Sequence, residues 1–76
     1  DGEIIRLRKA ITNDKRIVEL RHSIRIAAES KFENGTIDAT DLLEKIADET
    51  SALLNQNIHE LELLQTQYRL KTTLNQ

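Results

Sequence analysis

The sequence lacks cysteine, proline, tryptophan and methionine altogether, and it has only two glycines in 76 residues. Without cysteine the chain has no disulfide framework, no thiolate metal ligand and no cysteine nucleophile. Its longest apolar runs are two or three residues, such as 26–28, whereas about 18 are needed to cross a bilayer. We therefore expect no transmembrane segment here.

Aromatic residues are nearly absent as well, because the chain has one phenylalanine, Phe32, and one tyrosine, Tyr68. Two rings cannot make a platform on which nucleic-acid bases stack, and we expect both to be packing residues. Acidic residues interleave with the basic ones, and the net charge is −2. These features predict that nucleic acid is not a partner.

No pattern in the chain points to catalysis or to a bound cofactor. The sequence has no glycine-rich loop and no nucleophile elbow, and two helices offer little concavity for a pocket. The two histidines, His22 and His59, are expected to lie several helical turns apart, which argues against a shared metal site. We predict that the chain is not an enzyme and has no catalytic, metal-binding or cofactor-binding residues.

Charge and helix-periodic apolar residues are what the sequence has in quantity. Charged residues make up 32% of the chain, a composition typical of long helices and coiled coils. We predict an all-α fold with helices at about 3–34 and 39–74, joined by a turn at about 35–38. Two such helices cannot enclose a sizeable core, so we expect this hairpin to be a piece of a larger protein.

The turn holds several local signals within eight residues. Gly35 can adopt a positive φ, which suits the position just past a helix C-terminus. Asp38 fits the N-cap of the second helix, with Asp41 in the place of the capping-box acid. Ile37 and Leu42 have the spacing of a hydrophobic staple, which would fix the angle at which the chain enters the second helix.

The apolar stripe of the first helix changes phase near Asn13 and Asp14. Spacings of three and four residues connect Ile4, Leu7 and Ile11, and then Ile17, Leu20, Ile24 and Ala27 or Ala28. The step between the two sets is six residues instead of seven. The pattern predicts a polar layer or a phase slip at this point.

The second helix carries two apolar rows. The first row is Ala39, Leu42, Ile46, Leu53, Leu63, Leu70 and Leu74. The second row is Leu43, Ala47, Thr50, Leu54, Leu61, Leu64 and Tyr68, and it is broken by Asn57. A two-stranded coiled coil needs only one row, so the second predicts another helical neighbour and self-association. The alternative is one broad face that packs into a globular helix bundle.

An antiparallel hairpin about this turn pairs residues whose numbers sum to about 73. In this register Asp14 lies opposite residues 59–60, so that polar residues meet polar residues. A slipped register would place Asp14 against leucines and cost desolvation free energy. The match between the two halves therefore favours an antiparallel coiled-coil hairpin.

Acidic residues gather at the start of the second helix, against a single lysine, Lys45. They are Asp38, Asp41, Glu44, Asp48 and Glu49. The cluster either compensates the helix dipole and forms a solvated face, or forms an acidic collar that a basic partner recognises.

Two patterns in the chain resemble those of the TolC-like outer-membrane efflux channels, over roughly residues 26–76. One is aromatic-x-x-Gly-x-Ile-x-x-x-Asp-Leu-Leu at 32–43, and the other is Leu-Leu-Gln-x-x-Tyr-x-Leu at 63–70. The family often has serine or threonine where this chain has Asp38, which keeps an N-cap. It often has a hydrophobic residue where this chain has Asn34.

The resemblance implies a periplasmic hairpin that packs beside others, as a trimer in the parent channel, into an α-barrel continuous with a β-barrel in the outer membrane. It implies a role in the export duct, with Asn34, Gly35 and Thr36 at the tip as the docking site for a periplasmic adaptor protein. These three residues either dock the adaptor or simply build the turn. The alternative function is an antiparallel coiled-coil oligomerisation or interaction module, such as the hairpin of a periplasmic adaptor.

Overall fold

The computed structural model describes residues 2–74, which form two α-helices, α1 (Gly2–Glu33) and α2 (Ala39–Leu74). These residues contain no strand. The helices run antiparallel, because Glu3 pairs with Arg69 at one end while Arg25 pairs with Glu49 towards the other. The Cα atoms extend over 62 × 15 × 11 Å. The prediction of an all-α helical hairpin is confirmed.

The end of α1 is fixed by Gly35, whose φ is 79°. The Thr36 amide donates to the Lys31 carbonyl at 2.8 Å, and the Gly35 amide donates to the Phe32 carbonyl at 3.1 Å. This pair of bonds is the Schellman pattern, which satisfies carbonyls that the last helical turn leaves open. The helix ends at this point because glycine adopts positive φ without steric cost.

The start of α2 is fixed by a reciprocal cap between Asp38 and Asp41. The Asp41 amide donates to Asp38 Oδ1 at 2.9 Å, and the Asp38 amide donates to Asp41 Oδ2 at 3.4 Å. The Asp38 carbonyl then accepts from the Leu42 amide at 3.2 Å. These bonds form a capping box with aspartate in place of glutamate. Ile37 and Leu42 are both half-buried, as a hydrophobic staple requires.

The interface between the helices, which we call the seam, advances by alternating steps of three and four residues in both helices. In α1 the seam is formed by Ile4, Leu7, Ile11, Asp14, Val18, Arg21, Arg25 and Ala28. In α2 it is formed by Leu42, Lys45, Glu49, Ala52, Gln56, His59, Leu63, Thr66 and Leu70. All of these residues are buried or half-buried, which is the arrangement of a two-stranded coiled coil.

The polar layer predicted in α1 is confirmed at Asp14, but no phase slip accompanies it. Asp14 is buried and bonds to α2, so the heptad continues through this position. Leu20 and Ile24, predicted to belong to the stripe, are 61% and 42% exposed, and the seam takes Arg21 and Arg25 instead. The arginines occupy the seam because their guanidinium groups reach carboxylates on α2 while their aliphatic stems cover the interface.

Candidate interaction site

The second row of α2 lies on the outside of the hairpin, and every member of it is exposed. Its four leucines are between 56% and 63% exposed, and Tyr68 is 71% exposed. The positions of this row follow seam residues 42, 49, 56 and 63 by one or five residues. The row therefore lies on the opposite side of α2 from the seam. α2 therefore exposes a largely apolar row, which Asn57 interrupts.

The first row is divided between the seam and the surface. Leu42, Leu63 and Leu70 contribute to the seam, whereas Ile46 and Leu53 are exposed. The seam positions between these leucines are mainly polar, namely Lys45, Glu49, Gln56, His59 and Thr66. The distribution differs from that of an ordinary amphipathic helix, because α2 places several polar residues in the seam and a largely apolar row outside it.

One polar layer of the seam is centred on Asp14. Asp14 Oδ2 lies 2.6 Å from His59 Nδ1, and Asp14 Oδ1 accepts from Asn55 Nδ2 at 3.2 Å. The predicted register, which places Asp14 opposite 59–60, is confirmed by these contacts. Both carboxylate oxygens have partners, as a buried carboxylate requires.

A second polar layer surrounds Glu49. Its carboxylate accepts from Arg25 Nε and lies 2.6 Å from His22 Nδ1, while Arg25 also donates to Glu29. The hydrogen bond from His22 lowers the pKa of Glu49, and the bond from Arg25 adds to this effect while desolvation opposes it. The hydrogen bond to Glu49 in turn raises the pKa of Arg25. These contacts thus favour the charged forms of the Glu49 carboxylate and the Arg25 guanidinium.

A third polar layer lies near the open end of the hairpin. Thr66 is buried, and its hydroxyl donates to Glu3 Oε1 at 3.3 Å and accepts from Arg69 Nη2 at 3.2 Å. Arg69 also pairs with Glu3 at 3.5 Å. Together the three layers set the register, because a shift of one turn would leave buried polar groups without partners.

The tip residues Asn34, Gly35 and Thr36 are all exposed. Asn34 Oδ1 accepts from both the amide and the hydroxyl of Thr36, so the Asn34 side chain holds the turn. A Cβ built on Gly35 would meet no atom within 4 Å, which leaves open space beside the backbone. The tip therefore combines an ordered turn with an accessible surface.

Most acids of the cluster on α2 have partners within the hairpin. Asp38 and Asp41 bond to each other's amides, Asp48 pairs with Arg21 at 3.6 Å, and Glu49 lies in the seam. Four of the five acids therefore have an identified role within the hairpin. Beside the tip, a shallow groove is lined by Ile24, Ala27, Ala28, Lys31, Ile37, Asp41, Glu44 and Lys45.

Residues 2–74 contain no group of three or more histidine, aspartate and glutamate side chains that could hold a metal ion. Within the same range, neither helix has the length and apolar character needed to span a membrane. Comparison of the chain with protein-family models, with curated proteins and with solved structures finds no match. A functional assignment therefore depends on the second row, the seam and the tip.

Proposed function

We propose that this hairpin is the periplasmic coiled-coil segment of a TolC-like outer-membrane efflux channel, where it forms part of the export duct and the tip on which an adaptor protein docks. The exposed second row is the observation that carries this proposal. Five large side chains of the row are more than half exposed to solvent in the hairpin, namely Leu43, Leu54, Leu61, Leu64 and Tyr68. A neighbour along α2 would bury them, at roughly 25 cal/mol for each Å² of apolar surface.

Side-by-side packing of hairpins supplies such a neighbour. α1 also has exposed apolar side chains, which are Ile5, Leu20, Ile24 and Ile26. A hairpin with exposed apolar residues on both helices can contact one neighbour through α1 and another through α2. Contacts of this head-to-tail kind form a closed ring when the rotation between neighbours is right, and a ring of long helices is an α-barrel.

The turn supports the same proposal through its pattern at 32–43, which resembles the tips of TolC-like hairpins. An exposed backbone at Gly35 and the free lone pairs of the Thr36 hydroxyl are available to a docking partner. The neighbouring groove adds apolar surface from Ile24 and Ile37. In this proposal the adaptor contacts the tip, while the second row contacts the next helix of the barrel.

The second candidate is an antiparallel coiled-coil oligomerisation or interaction module, such as the hairpin of a periplasmic adaptor. The unbroken heptad of the seam favours it, because this spacing is what a two-stranded coiled coil needs. A module of that kind needs no second apolar row on α2, and for this reason we place it second.

The test uses the full-length protein that contains this hairpin, in its own cells. We expect it in the outer-membrane fraction, and we expect cross-linking to produce a trimer. The Thr36→Arg variant should reach the membrane at the wild-type level, because the Thr36 side chain is exposed, but it should lose export and adaptor cross-linking. Thr72→Arg places the same exposed side chain at the far end of α2 and should behave as wild type.

Two results would distinguish the docking role of the tip from the channel role of the whole protein. Wild-type export and cross-linking by Thr36→Arg would remove the docking role and leave the barrel role in place. Absence of the full-length protein from the outer membrane would remove the channel role and favour the interaction module.

A further inference from the structure

Asp14 is the most deeply buried charged side chain among residues 2–74, with 5% of its surface exposed. Its two contacts across the seam are the Asn55 amide, which is neutral, and the His59 imidazole, which is a cation only when protonated. Neither lysine nor arginine forms a salt bridge with it in the part of the chain that the structure describes. The charge that balances this buried carboxylate therefore depends on pH.

Glu49 offers a direct comparison within the same seam. It also contacts a histidine, His22, but it pairs with Arg25 as well, and an arginine remains charged at any ordinary pH. Arg25 Nη2 also lies 3.3 Å from His22 Nδ1. The Glu49 layer consequently keeps its counter-charge when its histidine is neutral, and the Asp14 layer does not.

We propose that the Asp14–His59 pair is a pH-sensitive latch that holds the two helices together more tightly in mild acid than at alkaline pH. Histidine side chains change charge between about pH 5 and 8. Below this range His59 is an imidazolium paired with the Asp14 carboxylate, and the contact is a charge-assisted bond. Above it, the neutral ring can still donate one hydrogen bond, but the carboxylate remains buried without a counter-charge, which costs free energy.

The charged groups around His59 are three acids and one lysine. On α1, Asp14 faces the ring and Lys15 beside it is exposed, so that its charge is screened by solvent. On α2, Glu60 follows His59 and accepts from Gln56, and Glu62 is half-buried nearby. In the proposed latch the pair stabilises the hairpin while the His59 ring is charged, and this contribution is lost when the ring is neutral.

Urea unfolding of the 76-residue chain, followed by far-UV circular dichroism at one fixed protein concentration, tests the latch. We expect the unfolding equilibrium constant of the wild type to be roughly fivefold larger at about pH 8 than at about pH 5.5, since charge-assisted bonds contribute more than neutral ones. His59→Gln keeps an amide donor but cannot become a cation, and it should abolish this difference. His22→Gln is the matched control and should retain it.

Equal stability of the wild type at the two pH values would overturn the proposal. So would a pH difference of full size in His59→Gln. If His59→Gln does not fold, Asp14→Asn decides the matter, because it removes the buried charge while keeping the shape of the side chain. We expect Asp14→Asn to lose the pH difference by becoming more stable at about pH 8, and retention of the full difference would show that the latch lies elsewhere.

Discussion

Thr66 and Tyr68 lie two residues apart on α2, and the small polar side chain is the buried one, with Thr66 2% and Tyr68 71% exposed. In the same way, polar Gln56 is half-buried whereas apolar Leu54 is exposed. A two-helix hairpin that stands alone would place its apolar residues in the seam. The packing neighbour that we propose for α2 would bury the exposed row, while the polar layers of the seam serve register more than hydrophobic burial.

Gly35→Ala is expected to lower the free energy of unfolding by about 1 kcal/mol, because a Cβ strains the backbone at φ 79°. Steric contact does not contribute, since the added Cβ meets no atom within 4 Å. Gly2→Ala is the matched control, because Gly2 lies at the start of α1 with open space around it and alanine favours helix. Urea unfolding should therefore rank Gly2→Ala above the wild type and Gly35→Ala below it, and the reverse order would refute the left-handed cap.

Asp38→Ala is expected to destabilise the hairpin by about 1 kcal/mol, because the Asp41 amide loses its acceptor at the start of α2. Asp38→Asn keeps an acceptor oxygen and should cost only a few tenths of this amount. Thr40→Ala, at an exposed position in the same turn, controls for side-chain removal. Equal losses in the Asn and Ala variants, measured by thermal or urea unfolding, would show that the cap bond does not matter.

Glu49 should make the hairpin sensitive to acid in a different pH window from that of the Asp14–His59 latch. Its pKa is lowered in the folded chain, first by the bond from His22. A group of this kind contributes stability above the ordinary glutamate pKa of about 4.3, and the contribution is lost as the pH falls through the lowered value. The difference in unfolding free energy between the wild type and Glu49→Gln should therefore be larger at about pH 6 than at about pH 3. A difference that stays constant would contradict this linkage.

The turn was the part of the fold that the sequence could predict in detail, because its determinants are local. A glycine past the helix end and an aspartate pair three residues apart act on backbone groups within one turn. The register could also be predicted, since the polar residue Asp14 had to meet polar residues of α2. Both inferences depend on chemistry that is visible in short stretches of sequence.

The composition of the seam could not be predicted in the same way. Hydrophobic periodicity ranks Leu20 and Ile24 above Arg21 and Arg25, yet the arginines lie in the seam. The arginines lie in the seam because they pair with acids more than twenty residues away in sequence, such as Arg25 with Glu49. The periodicity of one helix contains no information about such pairs between helices. The same holds for the histidines, whose carboxylate partners follow only from the register of the two helices.

Sedimentation equilibrium of the 76-residue chain at high micromolar concentration is the most direct test of whether the second row has a helical neighbour. We predict dimers or larger species for the wild type. Leu61→Lys places a charge in the middle of the second row and should shift the chain towards monomer. Leu74→Lys changes a residue that is 84% exposed and lies outside the second row, and this variant should associate as the wild type does. A folded, helical wild-type monomer at that concentration would contradict the prediction of a second packing surface on α2.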